Sequence, residues 1–202
     1  MNDLYLKYKI PDNIFLNLKK TISKDENNQV YLNHRLAGNI ENEFVIVNMD
    51  DTSLNFLKEC ALNFLKTQNK LKYSDLNLIR AWVNKQKKYE FNPLHDHEGD
   101  VSFVCWVEIP YNLDDEINLN NCKNSNTRRN SMFEFVYSNN FGCMETFPLE
   151  VDKSWEGNCI FFDSKLMHQV YPFYTSDKYR ISISGNFKIS TKKSIKNSFK
   201  YS

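Results

Sequence analysis

From about residue 78 to residue 189 the chain is punctuated every few residues, with short runs rich in Val, Ile, Phe, Trp and Tyr alternating with polar turns. Such runs are too short for core-bearing helices, and their β-branched and aromatic content suits a pleated, half-buried surface. The segments 43–48, 78–85, 101–109, 132–137, 158–163, 168–171 and 180–189 read as strands. Many short strands separated by turn signals make a mainly β sandwich or barrel. Two helices are expected ahead of most of them. Residues 11–22 open with Pro11 and Asp12 and space Ile14, Leu16, Leu18 and Ile22 along a helix. Over 52–68, with Asp51 or Thr52 as cap, Leu54, Leu57, Ala61, Phe64 and Leu65 recur at helical spacing, a stripe that should pack against a sheet.

A chain of 202 residues with no repeat and no Pro- or Gly/Ser-rich linker is expected to form one domain over 1–202. Within it, 1–70 reads as a helical support region and 78–189 as the β core. The stretch 111–131 is so polar that it reads as a long surface insertion, and the Lys- and Ser-rich tail 190–202 as a flexible end. Lys and Arg total 26 against 25 for Asp and Glu. That balance points to no nucleic-acid or membrane partner, so recognition of a ligand must be local. The five cysteines are odd in number and widely spaced, with no C-x-x-C pair. Reduced thiols, no membrane-spanning run and no signal-like start together place the expected location in the cytoplasm.

The histidines carry the chemistry. In "FNPLHDHEGD" His95 and His97 stand two apart, the spacing that sends both side chains to one face of a strand. Imidazole is the commonest ligand for transition metals, and a third ring from a neighbouring strand completes a site that leaves coordination positions open. His168, opening the strand after "EGNCIFFDSKLM", is the candidate; His34 has no comparable setting and reads as surface or outer-shell. An isolated H-x-H before a strand is a weak signal, more often a polar turn. The strand 180–189 adds a second feature, because alternation sends Arg180, Ser182, Ser184 and Asn186 to one face and Ile181, Ile183 and Gly185 to the other. Arg180, one of only five arginines, is costly to bury unpaired and should meet an anion.

The ordered set of H-x-H at 95–97, His168 after a G-x-x-x-F-F run, and R-x-S at Arg180–Ser182 resembles the iron(II)/2-oxoglutarate-dependent oxygenases. The likeness is closest to the often phage-borne group whose sequences read like "FNPLHDHEGDVSFVCWVEIP" and "RISISGN", and "LAGNI" at 36–40 is similar as well. The resemblance implies a double-stranded β-helix, a jelly-roll or cupin-like barrel with N-terminal helices packed on one sheet and the metal at the open end. It implies a dioxygenase of the hydroxylase type that uses Fe(II) as metal and 2-oxoglutarate as cosubstrate. His95 and His168 would be metal ligands, and Arg180 with Ser182 would bind the far carboxylate of 2-oxoglutarate. Asn84 and Trp82 on the preceding strand, and Ser102 and Trp106 on the following one, sit where family members line the cosubstrate pocket; for the tryptophans core packing is the simpler role. The expected substrate is a small molecule or a peptidyl group.

The departure from the family lies at His97, where most members place Asp or Glu. Three arrangements are open: His97 ligates in an all-histidine triad, Asp100 supplies the carboxylate from a relaxed turn, or Asp96 or Glu98 coordinates. The last two alternate away from the histidines and better suit an outer shell that orients imidazole N–H groups. Tyr89 and Asn92 flank the mouth and are candidates to touch substrate; Arg128 and Arg129 are read as a solvated pair. Two other classes compete, an all-histidine cupin that needs no 2-oxoglutarate and a non-catalytic β-sandwich that binds a partner.

Overall fold

The computed structural model describes residues 4–25, 38–69 and 74–191. His34, residues 36–37 and the 192–202 part of the tail lie outside them. In chain order the elements are β1 (Tyr5–Lys9), α1 (Asp12–Asp25), β2 (Asn42–Val45), α2 (Asp51–Thr67), β3 (Ser74–Gln86), β4 (Asn92–His95), β5 (Val101–Glu108), α3 (Leu113–Ile117), β6 (Phe133–Ser138), β7 (Met144–Leu149), β8 (Asn158–Asp163), β9 (Met167–Val170) and β10 (Arg180–Thr191). The strands form a six-stranded sheet in the order β1-β8-β5-β10-β3-β2 and a four-stranded sheet in the order β4-β9-β6-β7. Every pairing is antiparallel. This is the double-stranded β-helix that the sequence resemblance implies.

The larger sheet is buried on both faces, which explains why "VSFVCWV" reads as an unbroken apolar run rather than an alternation. On β5, Val101, Phe103, Cys105 and Val107 join a core shared with Ile14, Leu18 and Ile22 of α1 and with Leu57, Ala61, Phe64 and Leu65 of α2. The intervening Val104 and Trp106 face the other way, into a second core with Phe133 and Phe135 of β6 and Ile160 and Phe162 of β8. Gly185 of β10 is required by that packing, because a Cβ there would lie 2.6 Å from the Phe103 ring and 2.8 Å from the Arg80 carbonyl.

Both expected helices form, with α2 capped one residue earlier than expected: Asp50 accepts from Ser53 N at 3.0 Å and from Ser53 Oγ at 2.6 Å. The 1–70 region is not simply helical, since it also supplies β1 and β2, the two edges of the larger sheet. β1, β4 and β7 were not foreseen as separate strands. β7, "METFPL", is mostly exposed and contains Pro148, a composition tolerated because it is the outer edge of the smaller sheet. All five cysteines are free thiols. Among the described residues no helix is long and apolar enough to cross a membrane.

The polar stretch 111–131 is strapped to the barrel. Tyr111, Glu116 and Cys122 are buried. The carboxylate of Glu116 accepts hydrogen bonds from Tyr174 N at 2.9 Å, Thr175 N at 2.8 Å and Thr175 Oγ1 at 2.6 Å. The sequence hides this anchor, because an acid in a polar run looks like a solvated one. Replacing it removes the acceptor of two backbone donors and vacates the fully buried place of a carboxylate, so Glu116→Ala is expected to cost about 2–3 kcal/mol of stability. Urea unfolding should show the midpoint fall at constant slope, with amide exchange at Tyr174 and Thr175 accelerated; an unshifted midpoint would refute the anchoring role.

Candidate active site

Pairing of β4 with β9 sets His95 directly opposite His168. His97 lies two residues past the end of β4 rather than on it, so the shared-strand geometry expected for the H-x-H pair is not the device that positions it. Its backbone N–H donates to Ser164 O at 2.9 Å, and Lys165 Nζ holds both His97 O at 2.9 Å and the Asp96 carboxylate at 3.1 Å. The three rings nonetheless converge: their centroids are 4.3 Å (His95–His168), 4.8 Å (His95–His97) and 4.9 Å (His97–His168) apart. One nitrogen from each lies within 4.8 Å of the others.

The orientation of the rings is set by backbone carbonyls. Nδ1 of His95 lies 2.6 Å from Pro93 O and Nδ1 of His168 lies 2.9 Å from Leu166 O. A carbonyl only accepts, so each Nδ1 carries its proton and each Nε2 turns a lone pair inward. Phe133 stacks on His168 at 5.3 Å, and the edge of Trp82 meets His97 at 5.4 Å. Burial in this setting pushes all three imidazoles toward the neutral form. His97 falls to about 3 through burial and then the neighbouring His95 and Lys165; His95 and His168 fall with burial as the leading cause. Neutral imidazole is the form that binds metal. Nε2 of His97 and Nε2 of His168 are 3.2 Å apart. Two nitrogens each roughly 2.1 Å from one divalent ion are separated by about 3.0 Å at a right angle and about 3.4 Å at a tetrahedral angle. That pair has the spacing of two ligands on one first-row transition ion, and three imidazoles are a donor set that such an ion accepts.

The cluster opens into a cavity of about 460 Å³. Its wall is built by strand alternation: Trp82, Asn84 and Gln86 of β3 and Arg180, Ser182, Ser184 and Asn186 of β10 all line it, with Ser182 paired to Asn84 and Ser184 to Trp82 across the two strands. Trp106 also lines it, whereas Ser102 lies buried behind, donating to Asn186 Oδ1 at 2.8 Å. Arg180 is 4% exposed, and its guanidinium meets only neutral acceptors: Gln86 Oε1, Tyr111 Oη at 2.7 Å, Ser131 O at 2.9 Å and Tyr171 O at 3.5 Å. Among the described residues no carboxylate pairs with it. The buried positive charge expected from the sequence is thus present and uncompensated, while the amide oxygen of Gln86 occupies the Nε–Nη2 fork where a carboxylate would sit.

Several expected candidates are engaged elsewhere. Asp100 accepts from Ile189 N at 2.7 Å and from Lys188 Nζ at 3.2 Å, and it is not part of the histidine group. Asp96 is held by Lys165, and Glu98 lines the cavity from an exposed position. Asn92 reaches the cavity, whereas exposed Tyr89 packs on Tyr174 at 5.5 Å. Arg128 bonds Asn118 and Lys123 O, and Arg129 pairs with buried Glu134 at 2.6 Å, so the pair is structural rather than simply solvated. Sequence reasoning missed Gln86 and Glu43. Both were findable once their strands were drawn: Gln86 shares the inward face of Trp82 and Asn84, and Glu43 is the acid in "EFVIVN" whose next neighbour Phe44 faces the helices.

A double-stranded β-helix that brings three imidazoles and a buried arginine to one cavity is a frame on which non-haem metal-dependent oxygenases are built. The family model described as "Putative 2OG-Fe(II) oxygenase" matches residues 80–186, and the chain belongs to that family. It is accordingly an oxidoreductase, of a family that generally uses iron(II) and 2-oxoglutarate. No curated protein matches the sequence. Among solved structures it is similar to a prolyl-4-hydroxylase from Pseudomonas putida, with 13% identity over 92% of each chain and a TM-score of 0.58. It is also similar to a 2OG-Fe(II) oxygenase family oxidoreductase from Burkholderia pseudomallei, with 13% identity, 92% of this chain against 84% of that one, and a TM-score of 0.52. A third similar structure is the non-haem alpha-ketoglutarate-dependent carbocyclase SnoK from nogalamycin biosynthesis, at 7% identity over 98% and 85% of the two chains and a TM-score of 0.58. At these identities the likeness speaks for the fold.

The ring orientations are directly testable. In the metal-free protein at neutral pH, long-range proton–nitrogen spectra should report the Nδ1–H tautomer for both His95 and His168. An Nε2–H tautomer at either ring would contradict the inward lone pairs.

Proposed function

We propose that His95, His97 and His168 hold Fe(II), that Arg180 with Ser182 binds the far carboxylate of 2-oxoglutarate, and that the enzyme hydroxylates a small-molecule or peptidyl substrate. The observation that carries this reading is the convergence of three imidazoles, all driven toward the neutral form and two of them held with Nε2 free to ligate, on one cavity that a buried guanidinium with no acidic partner also lines. The engagement of Asp100 and Asp96 by lysines favours His97 over either acid as third ligand. The family match over 80–186 favours the oxygenase over the cupin and over a non-catalytic sandwich.

The protein's own contribution is placement. The Pro93 and Leu166 carbonyls fix two imidazoles in the ligating tautomer. Trp82 and Phe133 cover the rings with apolar surface, which keeps water from the reacting volume and strengthens every charge interaction inside it. Arg180 orients the cosubstrate through a charge-assisted contact, with the Gln86 oxygen yielding or sharing the fork and Ser182 on the same face. Asn84 stands next to Ser182 across the strand pair, within reach of the same ligand. Iron bound in the cluster supplies the oxygen chemistry that couples dioxygen and 2-oxoglutarate to succinate, carbon dioxide and one hydroxyl group on the substrate. Three neutral ligands leave the full double charge of the ion to be met by the anionic oxygens of the cosubstrate, so metal and 2-oxoglutarate should bind with strong mutual favour.

Two measurements check the assignment. Alanine at His95 or His168 should weaken Mn(II) or Fe(II) binding by more than the roughly 10–100-fold that loss of an outer-shell partner costs, and abolish succinate formation; His97→Asp, which restores a carboxylate, should keep metal. Retained affinity in the alanine variants sinks the cluster as a metal site. Arg180→Gln should weaken 2-oxoglutarate binding about 10–100-fold, on the order of 1.5–3 kcal/mol, while leaving Mn(II) affinity without cosubstrate unchanged. Equal loss of both would instead mark Arg180 as a folding residue.

A further inference from the structure

The end of the cavity bounded by β2 and the chain leading into β4 carries a group that neither metal nor cosubstrate accounts for. Glu43 is 1% exposed and lines the cavity together with Gly38, Asn84 and Asn92. The β2–β3 register sets it opposite Asn84. The Asn84 amide is satisfied when its NH2 donates to Glu43 Oε1 at 2.5 Å and its oxygen accepts from Trp82 Nε1 at 3.3 Å, so one carboxylate oxygen is tied to the wall. The other, Oε2, is buried and has no partner at all.

Acceptors gather here. A Cβ on Gly38 would lie 2.2 Å from Asn92 Oδ1 and 3.0 Å from Glu43 Oε1, so those two oxygens flank a single point and glycine is what permits it. No cation among the described residues neutralises the carboxylate. Lys87, beyond the end of β3, is paired with Glu41, and the charged neighbour that Glu43 feels is another acid, Glu90. Burial, with Glu90 adding to it, pushes the Glu43 carboxyl up to about 7. A buried acid that lacks a donor costs stability without returning any, unless a ligand brings the donor. Arg180 faces the same cavity and is the group reserved for an anion, so the two ends of the space are complementary in charge.

We infer that Glu43, with Asn84 and Asn92, forms the substrate-recognition end of the cavity and takes a cationic nitrogen of the substrate, an ammonium or a guanidinium group. The assignment rests on the oxygenase reading above for the word substrate, though not for the binding itself. Donors from such a group are shared between Asn92 Oδ1 and the Glu43 carboxylate, the two acceptors that flank Gly38. The link from Glu43 through Asn84 to Trp82, which packs on His97, then ties substrate recognition to the reacting end.

The probes are n-butylammonium and n-butylguanidinium, with neutral 1-pentanol of similar length as the control. They are titrated into the protein loaded with Zn(II), a diamagnetic stand-in for iron, and 2-oxoglutarate. The Asn84 and Asn92 side-chain amides and the Glu43 carboxyl carbon are followed by NMR. The cations should give saturable shifts at these groups and pentanol should not, and in Glu43→Gln the dissociation constants should rise at least about tenfold. Equal responses to cation and alcohol, or cation binding untouched by the substitution, overturn the inference. Should the variant fail to fold, the comparison of cation with alcohol on the wild-type chain decides alone. Loading is read separately from the histidine ring signals. Loss of zinc or 2-oxoglutarate binding counts against the metal and cosubstrate assignments, whereas the cation titration repeated on the unloaded chain still decides the role of Glu43.

Discussion

One cross-strand pair organises this molecule: His95 opposite His168 where β4 meets β9. Antiparallel neighbours bring directly opposed side chains within roughly 5 Å, so two residues separated by most of the β core become adjacent without any loop having to reach. The smaller sheet owes its position to the same pairing. β9 lies between β4 and β6, and Phe133 and Phe135 of β6 wall the His168 ring while also forming the core beneath it. The side chains that hold the His168 ring in place are thus the same ones that pack the core. His97 is the member added by a loop, and the lysine that follows Ser164 is what restrains that loop.

The polarity of the cavity follows from sheet geometry as well. β3 and β10 each bury both faces, one against the helices and one against the cavity, and only the second tolerates Asn, Gln, Ser and Arg. Each inward polar group then needs a partner, and most have one: Gln86 for Arg180, Asn186 for Ser102, Trp82 for Asn84. The exceptions are informative because buried polar groups are so rarely left unmade. Arg180 has hydrogen bonds but no countercharge, and Glu43 has an oxygen with no bond. Asn42 Oδ1 and Ser131 Oγ also lack partners among the described residues, but Arg180 and Glu43 are the charged groups left incomplete on the cavity wall, one suited to an anionic ligand and the other to a donor-bearing one.

Much of this was legible in the chain. The mainly β architecture followed from the turn spacing, and the inward set Arg180, Ser182, Ser184 and Asn186 followed from period-two alternation, which survives because β10 keeps one register against β3 from Arg180 to Asn186. What escaped was decided by pairing rather than by composition. β7 looked unlike a strand because edges tolerate Pro and exposed side chains, and β1 looked like an unstructured start because four of its five residues are lysine or tyrosine. Glu116 looked solvated because nothing in a polar insertion announces that Tyr174 and Thr175 will turn two backbone donors toward it. Glu43 was passed over since one acid in a short apolar strand reads as surface, and β2 is an edge whose inner face is known only once β3 is placed beside it.

The absence of a carboxylate in the histidine cluster has its own physical logic. Where most of the family places an acid after the first histidine, this chain has His97, and the nearby acids Asp96 and Asp100 are held by lysines. An acid at position 97 would sit against Trp82 and beside two buried imidazoles, where desolvation opposes a charge as long as no cation is present. Imidazole avoids that penalty, being neutral in the same place. Under the proposed assignment the exchange shifts the burden: three imidazoles are easier to bury, and an ion held by them would keep more positive charge for its other ligands to offset. Such a centre would depend more on an anionic cosubstrate for its charge balance than a carboxylate triad does, and the uncompensated Arg180 on the same cavity wall would help to draw that anion in.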